Sequence, residues 1–301
     1  MGFATLERDA VSTCLSKRKC ALWSVGLSAF CLALGRSSLL ASSSLQSTPP
    51  DLPTRVIVVV GAPGENDFST NFTHQAETWE KACGQAGCAE ATIGLNTDAA
   101  TNDFEILRLA LEAEPKDSTA DLWLVLIGHG TFDGKEARFN LRGPDVSATD
   151  LAGWLKPFHR RMAVIDMSSS SAPFLNKLSG TNRVIITATR SGHEQNFARF
   201  GHYFSEAIAD PASDLDKDGQ VSLLEAFLMA ARRVAEFYKL EGRLATEHAL
   251  LDDNGDGLGT QADWFEGLRA VKKPQEKAGV DGLLAQQLHL GRSEEKLNSA
   301  G

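Results

Sequence analysis

Short runs of apolar residues recur along the chain, and segments of helical periodicity separate them. The first is the β-branched run from Arg55 to Gly61, and similar runs cover 122–127, 162–165 and 184–187. Runs that are apolar at nearly every position are typical of strands buried on both faces. Strands alternating with helices predict an α/β fold, with a mostly parallel sheet that helices cover on both faces.

Helices of this fold can be placed by the residues that begin them. We predict one helix over 102–114 and another over 147–156, because Asn102 and Ser147 are each followed by an acidic residue three positions later. That spacing lets the cap side chain accept a hydrogen bond from a free amide of the first turn. A long amphipathic helix is predicted over 223–240.

The N-terminal part of the chain has the order of regions found in a secretory signal peptide. A basic cluster at 17–19 precedes an apolar stretch at 20–35 and small residues at 41–44. We therefore predict a signal peptide over 1–45, a linker over 46–54, and a secreted or periplasmic protein. An uncleaved membrane anchor is the alternative, although the apolar run of 16 residues is shorter than the roughly 20 residues that span a bilayer.

Composition and charge restrict the classes of partner. The chain has 301 residues, 43% of them apolar and 23% charged, which suits a globular protein. The predicted leader carries a net charge of +3, so its removal would take the formal charge from −9 to −12. Such acidity argues against nucleic acid and anionic membranes as partners, and we expect no stable membrane insertion after cleavage.

Two cysteines remain once the predicted leader is removed. Cys83 and Cys88 lie five positions apart, and in an oxidising compartment they could form a disulfide. Two free thiols are the equal alternative. Neither arrangement suggests a zinc site, which needs four ligands.

Two strand ends carry the residues with catalytic potential. The strand at 122–127 leads into Gly128-His129-Gly130, and the strand at 162–165 leads into Asp166 and the serines at 168–171. Parallel strands bring both loops to the same edge of the sheet. His129 could act as a general base and the Gly130 amide could stabilise an oxyanion. A hydrogen-bonded structural histidine and a helix-capping serine run are the plain alternatives.

These strand ends resemble those of the caspase-like fold, and more narrowly those of the legumain-type cysteine peptidases, over roughly residues 55–210. The resemblance implies that His129 works with a nucleophile on the loop of the next strand. In that family the nucleophile is a cysteine in an Ala-Cys-x-Ser-Gly-type loop. Here the alignment puts Ser169 at its place, with Ser168 as the alternative register. Replacing a thiol by a hydroxyl usually costs most of the activity.

The resemblance also implies a substrate-binding role for the loop at 187–194. In the family this strand-end loop lines the specificity pocket, so Arg190 or Glu194 could bind a charged side chain of the substrate. A solvated polar loop is the alternative.

A calcium site of the EF-hand type is predicted over 214–225. The twelve-residue pattern places carboxylates at positions 1, 3 and 5, glycine at 6, an aliphatic residue at 8 and glutamate at 12. Its oxygen ligands would be Asp214, Asp216, Asp218, the Gln220 carbonyl, Ser222 and both oxygens of Glu225. Ca²⁺ is the one cofactor that the sequence indicates.

A second, less complete loop of this type follows at 252–263. Asp252, Asn254, Asp256 and Asp263 occupy positions 1, 3, 5 and 12, but position 8 is glycine and the last ligand is the shorter aspartate. We therefore expect weaker binding there. The two loops define a predicted helical EF-hand-like segment over 211–265. A C-terminal helix and a polar tail are predicted over 266–301.

Three functions fit these observations. The first is an exported, calcium-binding hydrolase of the caspase/legumain-like type, in which His129 and Ser169 cleave peptide bonds. The second is a catalytically inactive homologue that binds a peptide or protein. The third is a dockerin-like calcium-dependent interaction module, although the 26 residues between the two loops exceed what a compact repeat needs.

Overall fold

The structure is a computed structural model that describes residues 53–96 and 101–291. The predicted signal peptide, most of the linker and the polar tail at 292–301 lie outside the described residues.

A seven-stranded sheet forms the centre of the molecule. Its strands are β1 (Arg55–Val60), β2 (Ala89–Ile93), β3 (Leu122–Ile127), β7 (Met162–Asp166), β8 (Arg183–Thr187), β9 (Leu250–Asp252) and β10 (Thr260–Gln261). They lie in the order β10-β9-β8-β7-β3-β1-β2. The strands from β8 to β2 in this order are parallel, whereas β9 and β10 add an antiparallel hairpin at one edge. The predicted α/β fold with a mostly parallel sheet is confirmed.

Helices cover both faces of this sheet. One face carries α1 (Asn66–Ala86), α5 (Phe200–Ala209) and α6 (Leu223–Leu240), and the other carries α2 (Asp103–Ala113), α3 (Ala148–Leu155) and α4 (Ala172–Leu178). Side chains alternate along each strand, so Val56 and Val58 pack towards Trp79 of α1 while Ile57 packs with Leu107 of α2. No helix among the described residues is both long and apolar enough to span a bilayer.

The predicted helix starts are confirmed by their hydrogen bonds. The Asn102 side chain accepts from the Glu105 amide at 3.2 Å. Ser147 and Asp150 form a reciprocal capping box at the start of α3. In both cases a side-chain oxygen satisfies an amide that has no partner within the helix.

A small antiparallel sheet follows β3 directly and fixes the loop that carries His129. It consists of β4 (Gly130–Phe132), β5 (Ala137–Phe139) and β6 (Val146–Ser147). The Asn140 amide donates to the His129 carbonyl at 3.0 Å. The backbone of His129 is therefore held between two sheets. A further pair of short strands, β11 (Phe265–Glu266) and β12 (Arg269–Ala270), follows β10.

The segment before residue 292 differs from the predicted C-terminal helix. Among its described residues only Ala285–Gln287 are helical, as one 3-10 turn. The apolar residues near it are used to anchor an irregular segment instead, since Ala285 and Leu288 are fully buried beside α6. The Leu223 amide donates to the Leu288 carbonyl at 2.9 Å, which joins this segment to the start of α6.

Cys83 and Cys88 are free thiols at the end of α1. The Cys88 amide donates to the Cys83 carbonyl at 3.0 Å, and the Cys88 thiol donates to the Leu290 carbonyl at 2.8 Å. The hydrogen bond between the two thiols raises the pKa of Cys83 and lowers that of Cys88.

Candidate functional site

His129 lies at the carboxyl end of β3 with its ring inside an aromatic cluster. The ring centroids of Phe68 and Phe72 lie 4.6 and 5.1 Å from that of His129, and both rings meet it edge to face. Its Nε2 is 3.2 Å from the Pro63 carbonyl oxygen. Because a carbonyl only accepts, Nε2 carries the proton of this hydrogen bond. No hydrogen bond joins the His129 ring to a serine among the described residues.

Gly130 contacts the serine loop through its backbone. Ser169 Oγ donates to the Gly130 carbonyl at 3.3 Å and lies 3.5 Å from the Gly130 nitrogen. A Cβ at position 130 would lie 2.2 Å from the Ser169 carbonyl oxygen and 2.7 Å from Ser168 Oγ. Only a glycine at position 130 lets the two loops approach this closely. The two loops that the sequence places at the same edge of the sheet are therefore in contact.

The four serines that follow β7 are enclosed. Their exposed fractions are 0% for Ser168, 5% for Ser169, 1% for Ser170 and 0% for Ser171. Ser171 Oγ and Thr189 Oγ1 are hydrogen-bonded at 3.2 Å, which ties this loop to the end of β8. Ser170 has a φ of 56°, in the left-handed region, and its hydroxyl is buried without a partner. The loop is shaped by contacts within the protein.

Asp166 is the last residue of β7 and holds Ser168. Its Oδ1 accepts from the Ser168 hydroxyl at 2.6 Å and from the Ser168 amide at 3.0 Å, while Oδ2 has no partner. Burial of the carboxyl group raises the pKa of Asp166 to about 7, and the hydrogen bonds from Ser168 oppose that rise. The Ser168 hydroxyl is therefore held by a hydrogen bond to a buried carboxyl group.

The two predicted substrate-binding residues contact each other. Arg190 Nε lies 3.4 Å from Glu194 Oε1, and the Arg190 amide donates to Glu194 Oε2 at 3.0 Å. Glu194 Oε1 also lies 2.6 Å from His248 Nδ1. The Glu194 carboxylate is thus occupied by protein groups, whereas half of the Arg190 side chain remains exposed.

The predicted calcium loop at 214–225 leads into α6 as expected. One carboxylate oxygen from each of Asp214, Asp216 and Asp218 lies within 4.8 Å of the others. Glu225 is buried, and its carboxylate accepts from the Leu215 and Asp216 amides at 2.7 and 3.2 Å. This donor set has the hard, anionic oxygens that Ca²⁺ prefers. The residues present therefore fit the ion.

The second loop has the same backbone arrangement between two strands. Asp252 accepts from the amides of positions 4 and 6, as Asp214 does in the first loop. Asn254 and Asp256 each accept from the amide two positions on, as Asp216 and Asp218 do. However, the loop connects β9 to β10 of the central sheet, so it has no helix before it.

Asp281 is a buried carboxylate beside the second loop. Its Oδ1 accepts from the Asp253 amide at 3.1 Å and from the Asn254 side chain at 2.7 Å. These residues are positions 2 and 3 of the loop, and in the first loop Glu225 accepts from the amides of the same two positions. Asp281 is 2% exposed, whereas Asp263 is exposed and lies in a 3-10 turn after β10. The sequence did not single out Asp281, because it lies outside the twelve-residue pattern and no local motif marks it.

Comparison with known proteins gives matches of fold only. No protein-family model and no curated protein matches the chain. The Drosophila initiator caspase Dronc is similar with a TM-score of 0.41 and 13% identity, over 67% of this chain and 80% of that chain. Caspase-1 from Spodoptera frugiperda gives 0.41 and 8%, over 67% and 86%. A Geobacter sulfurreducens protein gives 0.39 and 14%, over 68% and 95%. These likenesses concern the arrangement of strands and helices and say nothing about activity.

Proposed function

We propose that this protein is a calcium-loaded peptide- or protein-binding module with a caspase-like fold, and that it does not hydrolyse peptide bonds. The observation that carries the proposal is the enclosure of the serine loop, in which every serine is at most 5% exposed. A nucleophile must reach the carbonyl carbon that it attacks. The buried hydroxyls of this loop are better suited to hold the loop in place.

The surroundings of His129 support the same conclusion. A serine hydroxyl needs a base that removes its proton during attack. The Nε2 atom of His129 donates to Pro63, and the Ser169 hydroxyl donates to the Gly130 carbonyl. The His129 ring and the Ser169 hydroxyl are therefore hydrogen-bonded to other groups and not to each other. The protein would be a legumain-type homologue that has serine in place of the nucleophilic cysteine, as the pattern at His129–Gly130 and Ser168–Ser169 suggests.

The binding surface would be the carboxyl edge of the parallel strands. Loops at this edge are held by the rigid sheet, which is why ligands of α/β proteins bind there. Phe68 and Phe197 are half-buried next to His129 and offer apolar surface to a bound chain. The half-exposed Arg190 side chain could contact a carbonyl or carboxylate of the ligand.

Calcium would stabilise the side of the molecule that contains α6. The first loop fixes the start of α6 through Glu225, which would bind the ion and already caps the helix with Ser222. In the second loop we propose Asp281 as a ligand in place of Asp263, together with Asp252, Asn254 and Asp256. Extracellular calcium is plentiful, so the predicted export belongs to this proposal. A dockerin-like module is less well supported, because the second loop is part of a hairpin of the central sheet.

Hydrolysis of a fluorogenic peptide library by the calcium-loaded mature chain tests the proposal. We expect no turnover above that of the His129→Ala, Ser168→Ala and Ser169→Ala variants, together with measurable binding of some library peptides. Turnover that disappears in His129→Ala and in one serine variant would overturn the proposal and establish a serine-dependent peptidase.

A further inference from the structure

A cavity of about 200 Å³ lies at the carboxyl end of β8, on the face of the sheet that carries α5 and α6. Its walls are mainly small and apolar, with Ala231 and Ala235 from α6 and with Ala245 and Ala249 from the segment before β9. Phe200 closes the inner side. The volume suits one long side chain better than a drug-sized ligand, which takes roughly 300 Å³ or more.

Two acidic side chains line this apolar cavity. Glu247 is 3% exposed and belongs to the inner wall, whereas Asp263 is exposed at the rim. Glu247 accepts from the Phe200 amide at 2.9 Å and from the Tyr238 hydroxyl at 3.2 Å, so its carboxyl group is fixed in position. Burial raises the pKa of Glu247, and the hydrogen bonds that it accepts, together with the charge of Arg199, oppose that rise.

The basic side chains near the cavity contact other groups. His248 lies against Glu194, and the Arg199 guanidinium stacks on the Phe237 ring at 4.1 Å. Within the described part of the chain, no lysine, arginine or histidine nitrogen forms an ion pair with Glu247 or Asp263. Glu247 is thus a buried carboxyl group without an ion-pair partner, and a ligand cation in the cavity would favour its anionic form.

The cavity adjoins the serine loop. Ala188, which lines it, directly follows β8, and β8 pairs with the strand that carries the serines. The Ser170 amide donates to the Glu194 carbonyl at 2.9 Å, and Glu194 binds His248 of the cavity wall. Neighbouring strands are about 4.8 Å apart. A peptide crossing this edge could therefore place one side chain in the cavity.

We propose that the cavity binds a lysine or arginine side chain of a peptide, with the apolar walls around its aliphatic stem and Glu247 facing its charged end. This inference rests on the proposed peptide-binding function and names the ligand class. Long cationic side chains bury their methylene groups along apolar surface while the charged end meets an acceptor. The deep Glu247 and the outer Asp263 both complement that charge.

Three acetylated and amidated pentapeptides test the inference. Each has four alanines around a central lysine, norleucine or glutamate, and binding to the calcium-loaded full chain is followed by NMR titration. Norleucine keeps the aliphatic stem and removes the charge. We expect the lysine peptide to bind about tenfold or more tightly than the other two, which corresponds to one charge-assisted contact.

Variants of the cavity locate the binding. Ala235 is exposed on α6, so Ala235→Leu narrows the mouth without disturbing the core, and it should weaken the lysine peptide about tenfold. Ala113→Leu, on the exposed side of α2 across the sheet, is the matched control and should bind as the wild type does. Glu247→Gln should abolish the preference for lysine over norleucine, and circular dichroism checks its folding.

The outcomes separate the two proposals. Equal binding of the three peptides, or lysine binding that Ala235→Leu leaves unchanged, would overturn the assignment of the cavity while peptide binding itself stands. No binding of any peptide would overturn the proposed peptide-binding function and this inference with it.

Discussion

At the scale of single residues, Asp166 is a group whose chemistry the fold changes strongly. It is completely buried at the end of β7, and burial raises its pKa to about 7. Near neutral pH the carboxyl group therefore exists in both forms. Ser168 donates to one oxygen only, so the protein gives the charged form less support than water would.

This burial predicts that Asp166 lowers stability as pH rises. Its pKa is about 3.9 in an unfolded chain, so between pH 4 and 7 the folded state binds more protons than the unfolded state. The contribution of Asp166 to the free energy of unfolding therefore falls through this window, by about 4 kcal/mol, and is constant above it. Asp166→Asn should remove that part of the pH dependence. Urea unfolding from pH 4 to 8 measures it.

The exposed Asp67 on α1 provides the control for this measurement. Asp67→Asn removes an exposed carboxyl group and shows what the loss of one such group does without burial. If the free energy of unfolding of Asp166→Asn changed with pH as that of the wild type does, the Asp166 carboxyl group would have to ionise in the folded protein with the same pKa as in the unfolded chain.

At the scale of elements, the two acidic loops show how one backbone conformation can serve two settings. Position 4 has a positive φ in both, 64° at Lys217 and 81° at Gly255, and position 6 is a glycine with positive φ in both. The first loop leads into a helix that supplies Glu225. The second leads into a strand, and the buried carboxylate beside it is Asp281, which lies outside the loop in sequence.

Calcium titration distinguishes Asp281 from Asp263 as the ligand of the second loop. We expect isothermal calorimetry to show two ions bound by the wild type and one by Glu225→Gln, because the bidentate glutamate is the strongest single ligand of the first loop. Asp281→Asn should weaken the second ion about tenfold or more, whereas Asp263→Asn should leave both unchanged. If Asp263→Asn weakened binding of the second ion and Asp281→Asn did not, the ligand would be Asp263, as the sequence pattern predicts.

At the scale of the whole molecule, the sequence predicted what local patterns determine. The strands β1, β3, β7 and β8 are continuous apolar runs, and the helix starts are marked by caps, so both appear where predicted. The strands β9 and β10 have three and two residues and leave no pattern. The serine loop was predicted to lie beside His129–Gly130, but the enclosure of its hydroxyls depends on Asp166, Thr189 and Gly130, which only the folded chain brings together.

The C-terminal segment joins parts of the molecule that are far apart in sequence. Asp281 contacts the second acidic loop, Leu288 pairs with the start of α6, and the Leu290 carbonyl accepts from Cys88 at the end of α1. Ala285, Leu288 and Leu290 are all buried in the core on the α1, α5 and α6 face. This irregular segment therefore connects α1, α6 and the second acidic loop on one side of the sheet.

We expect removal of residues 285–301 to lower the free energy of unfolding by about 4 kcal/mol or more, since two buried leucines contribute about 2 kcal/mol each. Removal of 292–301 alone leaves those contacts in place and is the matched control. Leu288→Ala should cost about 3 kcal/mol by the cavity that it leaves. Urea unfolding in saturating calcium measures all three. If the longer truncation were as stable as the shorter one, the segment would not hold the fold together, and its burial would be a consequence of folding that adds little to it.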